Sequence, residues 1–99
     1  MVIIGDISFP PDATEKVGKN FLALAPVPDY MTLKGPYIRD VKENGIQAVE
    51  IYEFDKSKMT EGIAFVTHRH TPSFDTPKYQ YKIRVYFEAA DVINMVSED

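Results

Sequence analysis

Tyr79-Gln80-Tyr81-Lys82-Ile83-Arg84-Val85-Tyr86-Phe87 alternates without a break. Tyr79, Tyr81, Ile83, Val85 and Phe87 fall on one face and Gln80, Lys82, Arg84, Tyr86 and Glu88 on the other, the period of a half-buried strand. Pro72 lies beyond a segment in which Met59, Ile63 and Val66 form an inward stripe at helical spacing, and Asp55 ahead of it is suited to cap a helix. Upstream, residues 30–41 and 46–54 read as two strands joined by Asn44-Gly45, a pair suited to the positive φ angles of a tight hairpin turn. Gly35-Pro36 interrupts the first of them, and because proline is tolerated in sheets mainly on edges or at bulges, a bent edge strand is expected there.

Val2–Phe9 is rich in β-branched residues and stops at Pro10-Pro11, which predicts the first strand. Ala13, Val17, Phe21 and Leu24 then recur at the spacing of one helix face, with Asp12 and Glu15 resembling a capping box and Pro26 and Pro28 ending the run. Gly18 and Gly62 read as weak points of the two helices, each worth about 1 kcal/mol relative to alanine. The order is strand, helix, two strands, helix, strand. It predicts a single α+β domain over residues 1–99, a ferredoxin-like βαββαβ unit in which a four-stranded antiparallel sheet carries both helices on one face.

Composition narrows the function classes. Hydrophobic residues at 44% and charged residues at 26% fit a globular domain and remove disorder, collagen and coiled coil from consideration. Eleven Lys and Arg against 15 Asp and Glu leave a net charge of −4, so no concentrated basic field is offered to nucleic acid. With no cysteine there is no disulfide, thiolate nucleophile or Cys-ligated zinc site. The longest apolar run, residues 21–27, contains Pro26 and is far too short to span a bilayer, so no membrane partner is expected. Residues 1–9 read as a strand rather than a signal peptide, and the expected location is the cytoplasm.

Helices cover one face of such a sheet, yet neither central strand has a purely polar second face. Val2, Ile4, Val49, Ile51 and Tyr86 would form an apolar patch larger than monomers usually expose. Val92, Ile93, Met95 and Val96 add an apolar stretch after the last strand. In element order and length, from Val2 to Phe87, the chain resembles the dimeric α/β-barrel superfamily, small ferredoxin-like proteins whose sheets pack face to face, and within it a small uncharacterised family. The resemblance implies a homodimer, often with a ligand cavity between sheet and helices or near the dimer interface. It also implies a choice among cofactor-independent monooxygenases, haem-degrading enzymes, isomerase-like proteins and stress-induced proteins. Fold alone does not select among these chemistries. The haem-degrading members use a helix histidine with a tryptophan and an asparagine; this chain has no tryptophan, and no asparagine in its first strand.

His68 and His70 are the only histidines and are the candidate catalytic residues, as a general base for a bound phenol or enol. A metal would need a third ligand such as Asp75, and the i, i+2 spacing sends the two rings to different helix faces, so no metal and no cofactor are expected. The plainer reading of both is as residues favoured by the negative end of the helix dipole. Six tyrosines supply aromatic walls and hydroxyl donors, of which Tyr30, Tyr52 and Tyr86, together with Arg84, are the candidate contacts to a small organic ligand. Asp6, Glu53, Lys82, Arg84 and Glu88 share the face away from the helices, where pairing of Asp6 with Lys82 or Arg84 across neighbouring strands is expected. The leading expectation is a small-molecule binding or accessory protein. The alternative is a cofactor-independent enzyme of monooxygenase or isomerase type using His68 or His70.

Overall fold

Strand β1 (Val2–Phe9) alternates half-buried and buried residues along its whole length, as its sequence demands, and forms the spine of the sheet. The computed structural model describes residues 1–41 and 45–97. It contains α1 (Thr14–Leu22), β2 (Met31–Val41), β3 (Gly45–Phe54), α2 (Met59–His68), β4 (Gln80–Tyr86) and α3 (Ala89–Ser97). The four strands form one sheet in the order β2-β3-β1-β4, and every neighbouring pair is antiparallel. This α+β arrangement is compatible with a ferredoxin-like fold, with α3 as an additional helix.

Ile3, Ile7 and Phe9 of β1 point to the same side as Ala48, Tyr52 and Phe54 of β3, and all six are buried. Two apolar clusters share that side. One joins Met1, Ile3, Met31, Tyr52, Phe54 and Val66, and the other joins Ile7, Phe9, Val17 and Ala48. β2 is the expected bent edge strand. Its register with β3 shifts between Lys34 and Tyr37, and Gly35 takes φ +96° where a Cβ would lie 2.8 Å from the Val49 carbonyl oxygen. Gly45 has the positive φ expected of the hairpin, at +84°, while Asn44 lies outside the described residues.

Several local details differ from the sequence reading. Asp12 does not cap α1; a short 3-10 turn, Pro11–Ala13, leads into the helix, which has no side-chain cap. Asp55 does cap, accepting a hydrogen bond from the Ser57 N–H at 2.9 Å, but on the 3-10 turn that precedes α2. The inward stripe of α2 is Gly62, Ile63 and Val66, whereas Met59 is 38% exposed. The rotation follows from Gly62, where an added Cβ would lie 2.4 Å from the Phe54 ring: the missing side chain lets α2 close onto β3. The apolar stretch after β4 is helical, and Val92, Ile93, Met95 and Val96 of α3 are 45–69% exposed.

Candidate functional site

On β3 the strict alternation that buries Ala48, Tyr52 and Phe54 also buries Glu50, which is fully inaccessible. A carboxyl group there requires partners, because an isolated buried charge is strongly unfavourable. Two are present. The Tyr52 hydroxyl donates to Glu50 Oε1 at 2.8 Å, and Nε2 of His70 is hydrogen-bonded to the same oxygen. Glu50 Oε2 has no hydrogen-bond partner among the described residues.

The sheet makes room for this group at Gly5, which lies opposite Glu50 in the β1–β3 register. A Cβ at Gly5 would stand 3.3 Å from the Tyr81 ring and 3.6 Å from the Tyr52 ring, so the bare backbone lets both rings converge over the centre of the sheet. Tyr81 meets His70 edge to face with centroids 4.8 Å apart, and its hydroxyl donates to the Val66 carbonyl at 2.7 Å. Burial first, and then the negative charge of Glu50, hold the phenols of Tyr52, Tyr79 and Tyr81 well above the usual tyrosine range. All three stay protonated at neutral pH.

His70 sits just past the end of α2, where the chain enters the 3-10 turn Thr71–Ser73. It is 5% exposed, and that residual surface faces a cavity of about 270 Å³ between α1 and the sheet. The floor comes from Ile7 and Ala48 of the two central strands. The roof is Val17, Gly18 and Phe21 of α1, the face set by the four-residue spacing of Val17 and Phe21. The β2 bulge brings Pro36 and Ile38 to one side, and the Tyr79 ring closes the other. Gly18, far from being only a weak point of α1, leaves the cavity open: an added Cβ there meets nothing within 4 Å.

The chain matches no family model and is similar to no curated protein.

Of the residues singled out in the sequence, the fold brings His70 and Tyr52 together through Glu50. His68 is exposed in the last turn of α2, and its carbonyl accepts from the Thr71 hydroxyl at 2.7 Å. Tyr30 packs edge to face on Phe54 at 6.3 Å, away from the cavity. Arg84 and Tyr86 lie on the opposite face of the sheet, where Arg84 pairs with Asp6 at 3.1 Å and donates to the Tyr86 hydroxyl at 3.1 Å. Asp75, the third metal ligand considered, is paired with Lys16 at 3.1 Å. Among the described residues no three His, Cys, Asp or Glu side chains are grouped to hold a metal ion. No described helix is long and apolar enough to cross a membrane.

Sequence reasoning missed Glu50, the residue that orients His70. Its signal was present: in the inward set Ala48, Glu50, Tyr52, Phe54 it is the one carboxylic acid among apolar and aromatic neighbours.

Proposed function

We propose that this chain is a homodimeric protein of the α/β-barrel type that binds a small, largely apolar molecule between α1 and the sheet. The observation that carries the reading is the cavity itself, apolar on its floor and roof with one oriented imidazole in its wall. At about 270 Å³ it falls just below the roughly 300–1,000 Å³ of pockets for drug-sized ligands, which suits a fragment-sized molecule. The dimer reading is supported by the other side of the sheet. There Val2, Ile4, Val49 and Ile51 are half-buried, and α3, which follows β4, carries exposed apolar residues. A second sheet laid on this face would leave the cavity, on the helix side, open.

A second reading is favoured by one specific feature. A histidine whose far nitrogen is held by a buried carboxylate is the arrangement that orients a general base, so a cofactor-independent enzyme acting through His70 remains the alternative; His68 has no such support.

Native mass spectrometry of the gently purified chain tests both parts of the leading reading at once. It is expected to report a dimer carrying a small organic molecule that is released on denaturation. Gly18→Leu, which fills the mouth of the cavity, abolishes the bound mass while keeping the dimer, and Ile4→Asp reduces the dimer to monomer. A bare monomer whose stability no apolar fragment raises contradicts the reading.

A further inference from the structure

The tautomer of His70 defines the ligand class. Oε1 of Glu50 already accepts from Tyr52, and as a carboxylate oxygen it accepts from His70 as well. In the single-proton form of the imidazole this contact places the proton on Nε2, which leaves Nδ1 with a free lone pair. Nδ1 makes no hydrogen bond among the described residues, and His70 lines the cavity. The cavity wall therefore presents an acceptor, held in that state from behind. Among the described residues no Lys or Arg side chain lines the cavity, while the carboxylate of Glu50 lies directly beneath His70. The other groups around the imidazole are the phenol of Tyr81, edge to face, that of Tyr79, which lines the same cavity, the ring of Phe21, stacked 6.4 Å away, and the neighbouring Arg69, whose guanidinium donates to the Ala25 carbonyl at 3.0 Å. An anionic ligand would meet a buried carboxylate and no cation among the described residues that line the cavity.

We infer that the cavity selects a neutral, compact ring compound that donates one hydrogen bond, such as a ring hydroxyl, to Nδ1 of His70, and rejects carboxylates. Glu50 is the positioning residue, acting on the ligand only through the imidazole. The inference rests on the cavity being a binding site, and the test separates the two. Phenol, toluene and benzoate share one ring and differ only in the group offered to His70. Calorimetric titration of the full chain is expected to show phenol binding about tenfold or more tighter than toluene, the worth of one buried hydrogen bond, with benzoate weakest. Equal affinities for phenol and toluene overturn the donor requirement and leave the cavity reading standing. No binding by any of the three overturns both, and tightest binding by benzoate overturns the inferred charge rule. A second measurement needs no variant: ¹⁵N NMR of the imidazole nitrogens, with His68 as the internal control. It is expected to find His70 protonated on Nε2 alone, and Nδ1 shifting with phenol and not with toluene. Protonation on Nδ1 in the free protein contradicts the role assigned to Glu50.

Discussion

Glu50 concentrates the energetic risk of this fold in one side chain. Its carboxyl group is out of water, and a single oxygen serves both Tyr52 and His70. Removing Glu50 or His70 leaves the other member buried and short of a partner, which typically costs about 1–3 kcal/mol, and more where the group left behind is charged. Glu50→Ala is therefore expected to lose that much in urea denaturation, and His70→Ala a comparable amount. The double variant should lose at least about 1 kcal/mol less than the sum, because once the carboxyl is gone the histidine has nothing left to satisfy. Strict additivity would show that the two do not act as a unit. His70 was legible as a candidate from its residue type alone. Its separation from His68 was not, because it depends on the chain leaving α2 between the two residues.

Among the elements, the two helical glycines look alike in the sequence and differ in the fold. Gly18 faces open space, so Gly18→Ala recovers helix propensity and should stabilise the protein by about 0.5–1 kcal/mol. Gly62 sits against Phe54 with no room for a methyl group, so Gly62→Ala should destabilise by about 1–3 kcal/mol. Urea midpoints of the two variants moving in the same direction would refute this assignment. Strand positions were legible because period-two alternation is a local property, and the bent edge strand because Gly35-Pro36 is incompatible with a regular ladder. The rotation of α2 was hidden because it is set by Phe54, a contact eight residues away along the chain. The helical state of α3 was hidden for a related reason: its apolar residues were read for their hydrophobicity and not for their spacing.

The whole molecule divides its unresolved surfaces between two sides of one sheet. The helix side holds the cavity and His70, while the far side holds half-buried apolar residues ringed by the Arg84–Asp6 pair and by Lys34–Glu53 at 2.9 Å. The amphipathic imbalance of that far side was visible in the sequence as strands lacking a polar face. The cavity was not, since it needs the β2 bulge, Gly18 and the end of α2 to meet in space. Association through the far side, as proposed above, would not compete with ligand entry on the helix side, so a ligand should bind the assembled protein. A crystal soaked with 4-bromophenol tests this most directly, since anomalous scattering locates the bromine without ambiguity. The bromine is predicted between α1 and the sheet, near Val17 and Phe21, with the phenol oxygen in hydrogen-bond reach of His70 Nδ1. Bromine bound only on the far side of the sheet, or an empty cavity at saturating ligand, would contradict the account.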